Sequence, residues 1–262
     1  MNKSLRSLYF ILIFAFAITM LVALAAATPA QVRVLMSGGF SAAYQQLLPE
    51  FQSTTGITVT TSRGPSQGDG PNTIGAQLRR GVAADMVILS RGGLAELIAE
   101  GRIVAGSDVD LAQVPLGVGV RAGALRPDIG TVEAFKQALL RARSVGTQSS
   151  STIYMNTKLF PQLGIASAMA GKLSDGGPAD VANGKLEIVV APVSEILPVP
   201  GVDFVGTLPA EIQLVQVFAA ALVKDGKEPE ASKRLIAFLA SEKATPAIEK
   251  MGMKRPAVRL PR

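Results

Sequence analysis

The chain has 262 residues, 48% of them hydrophobic, with 26 Lys and Arg against 20 Asp and Glu and neither cysteine nor histidine. The two missing residue types exclude disulfides, thiolate metal sites, cysteine nucleophiles and histidine-based acid–base catalysis, and with them the usual zinc and non-haem iron sites. No run of Lys and Arg is interleaved with aromatic residues, which argues against nucleic-acid binding, and the length suffices for a core divided between two lobes.

Residues 1–30 read as an export signal. Lys3 and Arg6 form a basic start, Leu8 to Ala23 is densely apolar, and Ala25-Ala26-Ala27 and Thr28-Pro29-Ala30 both offer the small residues of a cleavage site. An uncleaved membrane anchor is the alternative. Cleavage removes the two cations and lowers the formal charge from +6 to +4.

Val32 to Ser41 then reads as a strand, a small-residue turn and the start of a helix. Gly38 and Gly39 allow close backbone approach, and Ser41 is the expected N-cap. Such a turn leaves free N–H groups at the carboxyl end of a strand, where α/β proteins bind anions. The spacing of Phe40, Ala43, Tyr44, Leu47, Leu48 and Phe51 predicts a helix, kinked or shortened at Pro49 and ended by Gly56. Ile57 to Thr61 is a second strand, followed by a glycine-rich loop, 62–71, in which Arg63 offers a guanidinium fork. Asn72 or Thr73 caps a helix to Arg80. Ala84 to Leu89 is a third strand leading into Ser90-Arg91-Gly92-Gly93 and another helix. Three such units predict a parallel sheet with one binding edge.

Val114 to Arg121 reads as a long strand that crosses between lobes, and Thr131 caps a helix to Arg143. After a brief strand, 144–147, the hydroxyl cluster Ser149-Ser150-Ser151-Thr152 opens a helix. Residues 174–178 are expected as loop, 186–190 as a buried strand running into Val193-Ser194-Glu195, and 199–205 as an extended piece. Leu214 to Val223 suits a strand returning to the first lobe. Two helices, 230–240 and 244–250, close the chain.

These segments resemble the extracytoplasmic solute-binding proteins of ABC transporters, in particular the molybdate-binding branch. The likeness is carried by Val32–Ser41, Gln77-Leu78, Gly81 to Asp85, Ser151-Thr152-Ile153-Tyr154 and Ala231–Ser241. It implies an α/β fold of two lobes of the type II periplasmic-binding kind, with ligand in the cleft between them. The implied division is 31–112 and 212–262 for one lobe and 113–211 for the other, in a monomeric periplasmic protein. Departures from the branch are informative. Gly39 stands where a ligand serine is typical, Gly70-Pro71-Asn72-Thr73 replaces a run of serines, and Arg91 replaces an acidic residue.

Arginines near the cleft suit planar carboxylates, so the resemblance with these departures implies a di- or tricarboxylate ligand. An enzymatic offshoot of the branch adds a further implication, interconversion of trans- and cis-aconitate by an allylic 1,3-proton shift without cofactor or metal. On that reading Arg63 and Arg91 bind carboxylates, and Ser37, Gly38, Gly39, Ser90, Ser150, Ser151, Thr152 and Ser194 hold the remaining oxygens. With histidine and cysteine absent, the acid–base candidates are Glu195, beside an apolar strand where burial raises a carboxyl pKa, and Tyr154. Asp85 is expected to be structural. The alternative is a non-catalytic receptor for a carboxylate or a molybdate-like oxyanion, with an ABC permease as its partner.

Overall fold

The computed structural model describes residues 30–256, so the expected signal segment and its cleavage site lie outside the described residues apart from Ala30. The first lobe is built from β1 (Gln31–Met36), α1 (Ser41–Thr55), β2 (Thr58–Arg63), α2 (Ile74–Arg79), β3 (Met86–Ser90) and α3 (Arg91–Ala99). The 13-residue strand β4 (Val109–Arg121) leads out of it. The second lobe holds α4 (Val132–Arg141), β5 (Val145–Thr147), α5 (Ser149–Tyr154), α6 (Phe160–Leu163), α7 (Ala166–Met169), β6 (Leu173–Asp175), α8 (Pro178–Ala182), β7 (Ile188–Pro192), α9 (Val193–Ile196) and β8 (Val202–Thr207). Strand β9 (Val215–Leu222) returns, and α10 (Pro229–Ala240) and α11 (Thr245–Lys250) follow.

The strand order is β2-β1-β3-β9-β4-β7-β5-β6, with β8 on the free side of β4. Strands β1, β2 and β3 are parallel, as are β5, β6 and β7. Strand β4 pairs with β9 from Val109 to Pro115, then with β7 and β8 from Leu116 onward. It is the crossing strand expected, but starts earlier. Each half buries its own apolar cluster: Leu35, Val87, Leu89, Leu94 and Ala219 in one, Val118, Phe135, Leu139, Met155 and Phe160 in the other. Burying each of the larger side chains contributes about 2 kcal/mol.

Local chemistry explains the helix ends. The hydroxyls of Thr73 and Thr131 accept hydrogen bonds from the N–H groups of Ala76 (3.2 Å) and Ala134 (3.1 Å). Gly56 closes α1 at φ 69°. Helix α1 runs through Pro49 without shortening; the carbonyl four residues back belongs to Gln45, an exposed residue on the water-facing side of the helix. Two expectations need correction. Ser41 is the first residue of α1 rather than its cap, because a 3₁₀ turn at Gly38–Phe40 intervenes with Ser37 at its N-cap. The expected loop at 174–178 begins with β6, whose pairing with β5 is set by a distant partner.

Asp85 locks the base of the first lobe. Its carboxylate takes the Arg33 guanidinium (2.8 and 3.0 Å) and the backbone N–H groups of Arg33 (2.8 Å), Lys227 (2.7 Å) and Glu228 (3.3 Å). Burial opposes its charge, but these donors outweigh that and hold its pKa down to about 2. The structural role expected of it is the one the geometry supports.

Candidate active site

The carboxyl ends of the parallel strands from both lobes face one cleft of about 680 Å³. From the first lobe come Ser37 and Gly38 after β1 and the loop from Arg63 to Thr73 after β2. From the second come Gln148 to Ile153 after β5, Asp175 at the end of β6, and Pro192 and Glu195 after β7. Gln216 and Phe218 on the returning strand β9 complete the lining. Ends of parallel strands are where helices begin, so this edge collects small, hydroxyl-bearing and glycine residues for local backbone reasons as well.

Glu195 is the distinctive group. It sits partly buried on the short turn α9, and loss of water alone pushes its carboxyl up to about 7. A carboxyl poised there exchanges protons in either direction near neutrality. Gly38 faces it, and a Cβ at that position would lie 3.0 Å from Glu195 Oε1. The glycine therefore makes room for the carboxylate. Gly39, by contrast, is buried against the Phe218 ring, where a Cβ would overlap the ring carbons at 1.9 Å. It shapes the cleft without lining it.

Among the described residues Arg63 is exposed, lines the cleft and enters no ion pair. The other lining charges are the carboxylates of Asp69, Asp175 and Glu195. Anion capture here therefore falls on one guanidinium and many neutral donors. Ser37 is 4% exposed, and its Oγ has no hydrogen-bond partner, a spare donor at the cleft wall.

The hydroxyl cluster is held across the cleft. Gln67 donates its backbone N–H to Ser149 Oγ (3.0 Å), and Ser150 Oγ donates to Gln67 Oε1 (2.8 Å). Ser150 also bonds Ser90 Oγ (2.9 Å), and Gln216 Nε2 donates to Ser151 Oγ (3.1 Å). Ser149 adopts φ 54°, the left-handed region that costs a non-glycine residue about 1–2 kcal/mol. Helix α5 continues through a π turn at Met155–Leu159 into α6.

Besides Gly39, four expected site residues do not line the cleft. Arg91 is absent from the cleft lining; its guanidinium is committed to Asp108 (2.5 Å) and Asp110. Two carboxylates nearly twenty residues on in the chain claim it. Tyr154 is buried and donates its hydroxyl to the Ile212 carbonyl (2.7 Å), and burial pushes its phenol pKa up, away from use as a base. Ser194, 1% exposed, donates to the Gly39 carbonyl (2.6 Å) and joins the two lobes rather than lining the cleft. Ser90 is likewise one step behind the lining, as N-cap of α3 and partner of Ser150. Ser37, Gly38, Arg63, Ser150, Ser151, Thr152 and Glu195 do converge on the cleft. Sequence reasoning missed Gln67, Gln148, Asp175 and Gln216. Gln216 had a signal, a lone polar residue in the otherwise apolar run from Val215 to Leu222.

A two-lobed α/β scaffold with its cleft at the strand ends is that of a solute-binding protein. The family model for bacterial extracellular solute-binding proteins matches residues 32–254, and the chain belongs to that family. It is 35% identical over 236 residues to an aconitate isomerase from a Pseudomonas species, covering 88% of this chain and 90% of that protein. The fold is shared with the periplasmic molybdate-binding protein of Azotobacter vinelandii (TM-score 0.69, 20% identity, 86% of this chain and 100% of that one). It is shared as well with the sulfate-binding protein SubI of Mycobacterium tuberculosis (TM-score 0.65, 17% identity, 86% and 87% covered).

Proposed function

We propose that this protein is an aconitate isomerase, interconverting trans- and cis-aconitate in the cleft by an allylic 1,3-proton shift. The observation that carries the chemistry is Glu195, a carboxyl held near pKa 7 on the cleft wall beside Ser37, Gly38 and the hydroxyl cluster. The likeness to the Pseudomonas enzyme supplies the substrate.

The Glu195 carboxylate takes a proton from the methylene carbon. The C–H electron pair becomes a new double bond to the central carbon, the former double-bond pair moves to the vinyl carbon, and that carbon takes up a proton from the Glu195 carboxyl, which is thereby returned to the carboxylate. Negative charge spreads over the flanking carboxylates during the shift, where Arg63 and the hydroxyls of Ser37, Ser150, Ser151 and Thr152 stabilise it. Arg91 and Tyr154 have no part in this scheme. The lobes divide at 31–112, 113–211 and 212–262, and the protein works as a periplasmic monomer without a metal or organic cofactor.

The test is to add trans-aconitate to the purified protein in D₂O and follow the vinyl and methylene protons by NMR. Appearance of cis-aconitate with deuterium at the allylic carbons supports the isomerase. Tight binding without movement of those protons makes the protein a carboxylate receptor, whose partner is a permease. Stabilisation by molybdate and not by aconitate returns it to oxyanion binding.

A further inference from the structure

Among the described residues a second cavity, of about 740 Å³, shares no residue with the cleft. It lies at the amino ends of β5 and β7, against Ser144 and Ile188, whereas the cleft takes the carboxyl ends of the same strands. Along β7 that is a separation of about 13 Å. Its walls carry five cationic side chains, Arg121, Arg126, Arg141, Arg143 and Lys185, against two carboxylates, Asp128 and Glu187. Its floor is apolar, with Val120, Ala142 and Ile188 buried beneath it.

Ion pairing does not exhaust this charge. Arg126 pairs with Asp203 (3.2 Å), Arg143 with Glu187 (3.0 Å) and Lys185 with Asp180 (3.5 Å). Among the described residues Arg121 and Arg141 enter no ion pair. The only side-chain hydrogen bond of Arg141 there is from Nε to the Gln137 carbonyl of its own helix (3.2 Å), which leaves the terminal nitrogens of this lining residue's fork uncommitted. Gly184, at φ 74°, makes space for the other: a Cβ there would stand 3.5 Å from an Arg121 terminal nitrogen. Two guanidinium forks over an apolar floor match a compact ligand with two planar or tetrahedral anionic groups.

We propose that this cavity is a second binding site, for a small polyvalent anion carrying at least two carboxylate or phosphate groups. The site is independent of the reaction in the cleft and of its substrate. It is tested by calorimetric titration with citrate and, separately, with pyrophosphate, in a background carrying Arg63→Ala, which removes the one guanidinium of the cleft lining. One equivalent of either anion should bind at 0.15 M salt and shift the amide resonances of Gly184 and Glu187. Adding Arg121→Ser with Arg141→Ser should weaken that binding at least tenfold, with circular dichroism unchanged. Citrate alone identifies a carboxylate site and pyrophosphate alone a phosphate site. Failure of both anions to bind overturns the proposal, as does binding that the paired serine substitutions leave undiminished.

Discussion

Glu195 ties proton transfer and stability to one residue. Its carboxyl is raised from 4.5 to about 7 by burial, so as a base it must first lose its proton. The rate at limiting substrate should therefore fall below about pH 7, and Glu195→Gln should abolish turnover while leaving aconitate binding measurable. The stability consequence has the opposite direction. A folded-state pKa above the unfolded value favours the fold at low pH, and that contribution is lost as pH rises from about 4.5 through 7, by up to about 3 kcal/mol. The Gln variant should accordingly be more stable than the wild type at pH 8, measurable by urea denaturation. The two arginines of the sequence reading separate on the same scale. Arg63→Ala should raise KM about 10- to 100-fold, the worth of a charge-assisted hydrogen bond. Arg91→Ala should leave the kinetics unchanged and cost about 1 kcal/mol, since its carboxylate pairs are partly solvated.

At the level of elements, strand–turn–helix units were legible because their signals are local. Thr73 and Thr131 cap helices where they were expected to, and Gly56 and Gly164 stop them. The hydroxyl cluster after β5 and Glu195 after β7 were legible for the same reason, as polar residues directly following apolar strands. What stayed hidden depends on distant partners. Nothing near Arg91 announces Asp108 and Asp110, nothing near Tyr154 announces the Ile212 carbonyl, and β6 exists through its pairing with β5. Asp85 shows how such remote partners fasten elements together: it joins β1 to the segment before α10. Asp85→Asn should cost about 2–3 kcal/mol by thermal or urea unfolding. Because its folded pKa of about 2 lies below the ordinary value of 3.8, the wild type should lose about 2 kcal/mol of stability as pH falls from about 4 to 2. The Asn variant should show a flatter acid limb.

Across the whole molecule, β4 and β9 cross between lobes as antiparallel neighbours, and Gln67 reaches over the cleft mouth to Ser149 and Ser150. Gln67→Ala removes the side-chain part of that reach. It should raise KM about 3- to 10-fold and speed hydrogen exchange at 148–152, with little change in global stability. The bonds that cross the cleft there join uncharged groups, amides and hydroxyls from Gln67, Ser90, Ser149 and Ser150, while Gln67 Nε2 donates to the Glu96 carboxylate (2.6 Å) on its own side. Dissolved ions screen the long-range pull of Arg63 on an incoming trianion but have little purchase on a seam of neutral dipoles. An ionic-strength series should therefore slow substrate capture while turnover of the captured molecule stays level, dividing arrival from enclosure with nothing more than sodium chloride.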